Sequence, residues 1–241
     1  MIEPDYMNDL VFDAATHTYR VRGLLVPHIT EIVPSNYDHV PPARLEIARQ
    51  RGTAVHKLTE LFDLRILNWM MVDPKLTPYL EAWVKAVQEY ELEFEDCDVE
   101  RRLYHPLYRY AGTGDRPRAW LRPPGVGQRR RLATIEIKSI AKMDENVDLQ
   151  TAGQQCAENY RARLLGIPET EDRWGFQLKP NGKFRAYPYE DHKRKQQVFL
   201  GYLTTLNWEV EHGKKRYAVQ GKCSPSNGNN RSYSYQRQRA A

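Results

Sequence analysis

The chain has 241 residues, 41% of them hydrophobic and 28% charged, with a formal net charge of +5; that is enough for one sizeable core and excludes a fibrous or wholly disordered chain. It contains no apolar run of the roughly 18 residues a membrane helix needs, and its start, MIEPDYMNDL, is acidic and polar, unlike a secretory signal, so a cytoplasmic protein without a membrane partner is expected. Its three cysteines, Cys97, Cys156 and Cys223, are far apart and form no C-x-x-C, which argues against a zinc ribbon or iron–sulfur cluster and for a reducing compartment.

Residues 10–33 read as a short β-hairpin and a turn of helix, with turn chemistry at Asp13 and Gly23. Pro42 to about Phe62 reads as a helix opened by proline, with an apolar stripe of Leu45, Ala48, Val55, Leu58 and Phe62. A second helix runs from Pro74 to about Leu92, burying Leu80, Trp83, Val84, Val87 and Tyr90. Strands follow at Asp98–Tyr104, Tyr108–Gly112, Asp115–Leu121 and Arg131–Ser139, with a turn at His105-Pro106 and a loop at Arg122–Arg130. Asn146–Leu165 is a helix closed by Gly166. Asn181-Gly182 marks a hairpin between Arg173–Lys179 and Lys183–Pro188. A last helix spans Glu190–Gly213.

Residues 1–217 are therefore expected to form a single α/β domain, a central mixed β-sheet flanked by helices. Residues 218–241 are expected to be a polar, basic, disordered tail.

The charge is unevenly spread. After Glu211 there are seven Lys/Arg and no acids, whereas residues 1–211 carry 29 basic and 31 acidic side chains. Within the body, residues 101–142 hold eleven Lys/Arg and only two acids, Asp115 and Glu136. Acids isolated in a basic field suggest a metal site facing a polyanion; a solvated basic loop is the alternative.

Glu136-Ile137-Lys138 lies 21 residues after Asp115. On a strand Glu136 and Lys138 share one face, while Ile135 and Ile137 face a core. Asp115 and Glu136 supply the oxygen ligands that Mg²⁺ or Mn²⁺ prefers, and the Ile137 carbonyl between them could complete the shell. Lys138 could polarise the attacking water or stabilise the transition state. Gly112 and Gly114 suggest that bulk is excluded where Asp115 enters the site. Glu100 is a further candidate ligand, an exposed strand position being its alternative. His56 could offer a neutral imidazole, a helix-surface or core-capping histidine being the alternative, and Gly52, one helical turn earlier, could let a phosphate or a strand approach. Gln150 and Gln154 share a helix face and could contact DNA backbone and base edges; ordinary surface glutamines are the alternative.

In order, Gly52…His56, Gly112…Asp115, Glu136…Lys138 and Gln150 resemble the G-x-x-x-H, G-x-x-D, (D/E)-x-K and Q-x-x-x-Y motifs of the RecB-like branch of the PD-(D/E)xK nuclease superfamily, and its phage-encoded exonucleases in particular. The opening THTYRVRGLLVPHITEIV, the hairpin WGFQLKPNGKFRAYPY and the helix QQVFLGYLTTLNWEVEHG are similar to such proteins too, so the resemblance covers about residues 10–213. The chain departs from the pattern where Gln154 stands in place of the motif's tyrosine, and where Pro27-His28-Ile29-Thr30 replaces P-S-V-T.

The resemblance implies a restriction-endonuclease-like core and Mg²⁺- or Mn²⁺-dependent hydrolysis of DNA, with one or two ions on His56, Asp115 and Glu136 and Lys138 aiming the hydroxide. Arg116, Arg118, Arg129, Arg130 and Arg131 become candidates for the DNA backbone. Duplex ends are the implied substrate, resected in recombination or replication, and a single-strand annealing protein is the implied partner. An inactive DNA-binding protein on the same fold, a structure-specific endonuclease and a basic structural or RNA-associated protein remain open. Oligomeric state and cleavage polarity are not legible.

Overall fold

A computed structural model describes residues 4–34 and 40–217; the expected tail lies outside them. Helix α1, Asp5–Asn8, leads into an antiparallel three-stranded sheet of β1 (Leu10–Asp13), β2 (Thr18–Val21) and β3 (Leu24–Val26). One hairpin was expected here, and two turns close it instead. Asp13 accepts from the Ala15 N–H and the Thr16 hydroxyl at the first, and Gly23 takes φ +79° at the second. After α2 (Ile29–Ile32) come two long helices, α3 (Pro42–Asp63) and α4 (Thr77–Glu89). The expected apolar stripe of α3 is buried only in its second half, at Val55 and Thr59 and ending on Asp63, while Leu45 and Ile47 are exposed.

The strands β4 (Arg101–His105) and β5 (Tyr110–Gly114) pair antiparallel. The strand expected from Asp98 starts at Arg101 because Asp96–Asp98 forms a 3₁₀ turn and Glu100 sits at φ +49°. Past Asp115 the chain enters a four-stranded sheet in the order β6 (Arg116–Leu121), β7 (Arg131–Lys138), β8 (Asp172–Leu178), β9 (Phe184–Tyr189). Its outer pairs are antiparallel and β7 runs parallel to β8, so the sheet is mixed. The crossover between the parallel strands is α5 (Asn146–Leu165), which ends on Gly166 at φ +66°; α6 (His192–Glu211) closes the order.

The sheet's two faces differ as alternation requires. Ile135, Ile137, Phe176 and Leu178 point into a core shared with Ala82, Trp83 and Ala86 of α4 and Val55 of α3. Full burial of each large apolar side chain contributes about 1.5–3 kcal/mol. The opposite face lies under α5. That helix packs its far side on α6 so closely that a Cβ at Gly153 would fall 2.6 Å from the Phe199 ring. No described helix is long and apolar enough to cross a membrane.

Candidate active site

Four stretches of chain meet where β5 gives way to β6. His56 and Asp63 stand seven residues apart on α3, two turns along one side. His56 Nδ1 lies 3.2 Å from Asp115 Oδ1 and 3.5 Å from Glu100 Oε1. The other Asp115 oxygen accepts the Ile137 N–H at 2.6 Å, beyond the last β6–β7 pair at Arg116–Ile135. One carboxylate thus joins the α3 histidine to the Glu136–Lys138 strand. Ile137 thus enters the site through its N–H, where its carbonyl was expected.

The two glycines before Asp115 do exclude bulk. A Cβ at Gly112 would lie 2.7 Å from Ile29 Cδ1, and one at Gly114 3.2 Å from Leu103 Cδ1. Glu100 is half-buried rather than an exposed strand residue, and its N–H donates to the Asp115 carbonyl at 2.9 Å. Its left-handed backbone is uncommon for a side chain with a Cβ and departs from the ladder just where its carboxylate meets His56.

Below this cluster Arg116 is fully buried at 0% exposure. Its Nε donates to Asp63 Oδ2 at 2.8 Å and its Nη1 to Glu100 at 3.4 Å and to the Asp115 carbonyl. Trp83 Nε1 donates to both Asp63 oxygens. Arg116 is therefore an internal counter-ion and not the expected DNA contact. Asp63 escaped the sequence reading; its signal is an acid placed eight residues after Val55 on the buried side of a helix.

Glu136, beside this cluster, is 2% exposed and held by three donors. Lys138 Nζ and Gln150 Nε2 each reach Oε1 at 2.6 Å, and Gln154 Nε2 reaches Oε2 at 2.7 Å. Gln154 also donates to the Thr113 carbonyl at 3.3 Å and is 0% exposed. Both glutamines thus face inward and hold the carboxylate, which corrects their expected role at the DNA surface. Lys138 is half-buried and keeps 22% of its side chain exposed.

Burial raises the pKa of both Glu100 and Glu136, and the negative charge of Asp115 raises them further. Burial works the same way on Asp115, but His56 more than offsets it and holds that carboxyl below its usual range. Burial opposes charge on His56; Asp115 and Glu100 outweigh it and raise the ring to about 10. One ring nitrogen of His56 and one oxygen each of Glu100 and Asp115 lie within 4.8 Å of one another. Two hard oxygens and an imidazole suit a divalent cation such as Mg²⁺ or Mn²⁺, and the imidazole must be neutral to ligate it.

The other expected DNA contacts stand apart from this site. Arg118 donates to the Pro168 carbonyl at 2.8 Å and to Glu158 at 3.3 Å. Arg129 pairs with Glu171, Arg130 with Glu93 and Arg131 with Asp172. The basic stretch 101–142 is thus largely neutralised by acids brought from other segments. Among the described residues no strand approaches Gly52: a Cβ there would meet nothing within 4 Å.

No protein-family model and no curated protein matches the chain. Among solved structures, the crystal structure of SSO0001 is similar over 66% of this chain and 76% of its own, at 17% identity and a TM-score of 0.26, which carries neither fold nor function across.

Proposed function

We propose that this protein is a metal-dependent deoxyribonuclease of the RecB-like branch of the PD-(D/E)xK superfamily, an exonuclease of the phage-encoded type on a restriction-endonuclease-like core. The observation that carries this reading is the meeting of His56 from α3, Asp115 from the β5–β6 junction, and Glu136 and Lys138 from β7, joined by the His56–Asp115 contact, the Ile137 N–H to Asp115 bond and the Lys138–Glu136 pair. The sheet order supports it: an antiparallel pair, β6 and β7, then a crossover helix, then a parallel strand.

His56, Glu100 and Asp115 would hold the Mg²⁺ or Mn²⁺, with Glu136 as the neighbouring carboxylate for a second ion. A bound ion lowers the pKa of water and neutralises charge on the phosphate. The protein's own residues supply position. Hydrolysis joins the water oxygen to phosphorus and breaks one P–O ester bond, in line. Lys138, held by Glu136 at 2.6 Å, would place its positive charge beside the water and the charge that grows on the phosphoryl oxygens. Gln150 and Gln154 keep the Glu136 carboxylate from turning. Duplex DNA ends are the proposed substrate, in the cytoplasm of the producing cell, and a single-strand annealing protein is the proposed user of the product.

The test is digestion of end-labelled linear duplex DNA with Mg²⁺ or Mn²⁺, wild type beside Glu136→Ala and Lys138→Ala. Digestion by wild type alone is expected, and the order of label loss gives polarity. A folded wild type that binds DNA without cutting it with either metal would overturn the enzyme and leave a DNA-binding protein.

A further inference from the structure

Each arginine expected to meet DNA is paired with an acid of the protein, Arg116 and Arg118 in the interior and Arg129 and Arg130 at the surface, which leaves open what holds the substrate's phosphates. Three cations next to Lys138 have no acidic side chain within 4.0 Å among the described residues: Arg51, Lys142 and Arg185. They are linked through the backbone after Lys138 and through Gln177. Arg51 Nη2 donates to the carbonyl of Ser139, the residue after Lys138, at 3.1 Å. The next two carbonyls, Ile140 and Ala141, accept from Gln177 Nε2 at 2.8 and 2.9 Å, which fixes the backbone just before Lys142. Gln177 stands opposite Lys138 on one side and Arg185 on the other, so the three side chains lie in one row on one sheet face.

Two strand spacings put Arg185 about 10 Å from Lys138. Tyr187 locks this row: its hydroxyl donates to Gln177 Oε1 at 3.1 Å, and Arg185 Cζ lies 4.9 Å from its ring centroid. The acid nearest Lys142 in sequence, Asp144, accepts the Asn146 N–H at the start of α5. Arg185 and Lys142 are exposed at the carboxyl ends of parallel β7 and β8 or beside them, the side on which open α/β sheets bind ligands.

Resting on the nuclease reading, we propose that Arg51, Lys142 and Arg185 form a phosphate lane running from Lys138 to the edge strand β9, which holds the sugar–phosphate backbone of the strand being cut. None of the three is needed to build the metal cluster, so their loss weakens binding and raises KM while kcat changes little.

The test is fluorescence anisotropy with a labelled 20-mer, single-stranded and as a duplex, in EDTA over a salt series, together with cleavage kinetics in Mg²⁺. Arg185→Ala and Lys142→Ala are each expected to lower the slope of log K against log salt by about 0.7 on the single strand or 0.9 on the duplex. Arg129→Ala, whose guanidinium is already paired, is expected to leave it unchanged. The probe whose slope moves identifies the strand form the lane takes. A wild type that binds and cuts, with unchanged slopes and KM in both lane variants, overturns the lane and leaves the nuclease standing. Slopes that fall as expected beside a wild type that never cuts overturn the enzyme and leave the lane. An unfolded Arg185→Ala is answered by the exposed Lys142→Ala, which makes the same prediction.

Discussion

Replacing Gln154 with leucine separates what this side chain does for folding from what it does for Glu136. Its Nε2 donates to a buried carboxylate at 2.7 Å, a charge-assisted bond worth about 1.5–3 kcal/mol. Its Oε1 is buried with no hydrogen-bond partner among the described residues, a desolvation cost of about 1–3 kcal/mol that leucine abolishes. The longer contact to the Thr113 carbonyl adds little at 3.3 Å. The two larger magnitudes nearly cancel, so unfolding in urea should show a change of no more than about 1 kcal/mol. Glu136, by contrast, loses the Gln154 donor on Oε2 and keeps those of Lys138 and Gln150 on Oε1, so its plane is no longer fixed. Loss of such supporting hydrogen bonds in metal sites costs about 10- to 100-fold in affinity or rate. On the proposed nuclease reading, DNA digestion in Mg²⁺ should fall by that much, and Gln154→Glu, which sets two carboxylates together, should lower it further. A leucine variant with full activity that loses 3 kcal/mol of stability would show that Gln154 is structural and refute the reasoning.

Three further outcomes follow from the packing and charge. Gly112→Val drives a Cβ to within 2.7 Å of Ile29 Cδ1 and should cost about 1–3 kcal/mol in urea unfolding, with partial recovery in Gly112→Val/Ile29→Ala; equal stability of the two variants would rule the clash out. Asp63→Ala strands the buried Arg116 guanidinium and should cost about 3–5 kcal/mol, whereas Asp63→Leu/Arg116→Met should regain much of it in the same assay. Burial, then the charge of Arg163, lowers the His105 pKa to about 4, against about 6.5 in the unfolded chain. The unfolded state therefore binds more protons between those values, and His105 makes stability fall as pH drops from 6.5 toward 4, by about 3 kcal/mol in all. NMR should find the ring neutral at pH 5.5, and a ring titrating near 6.5 would contradict this.

Strand and helix spacing made most of the architecture legible. The alternation of Ile135, Glu136, Ile137 and Lys138 separates core from site as the structure does, and Gly166 ends α5 where the C-cap pattern requires. Partnership was not legible. Gln150 and Gln154 read as surface polar residues because a helix facing polar groups looks, in sequence, like one facing water. Asp148, Gln155 and Glu158 on the same helix are buried for the same reason, matched with Arg173, main-chain carbonyls and Arg101. The run Arg129–Arg131 read as a free positive field because Glu93, Glu171 and Asp172, which neutralise it, come from distant segments. Glu100 read equally as a ligand or an exposed strand residue, because the left-handed backbone that takes it off the strand is announced by no propensity.

The crossover through α5 also sets the order in which the site can mature during synthesis. A nascent chain ending at Ile140 already carries His56, Glu100, Asp115, Glu136 and Lys138. It lacks the two glutamines that fix Glu136 and the parallel strand that supports β7. Pairing β7 with β8 joins residues nearly forty apart, a slow, non-local step. The cluster can therefore take its final shape only after Leu178 has left the ribosome, so a truncated product retains the clustered side chains without the glutamines and strand that hold them.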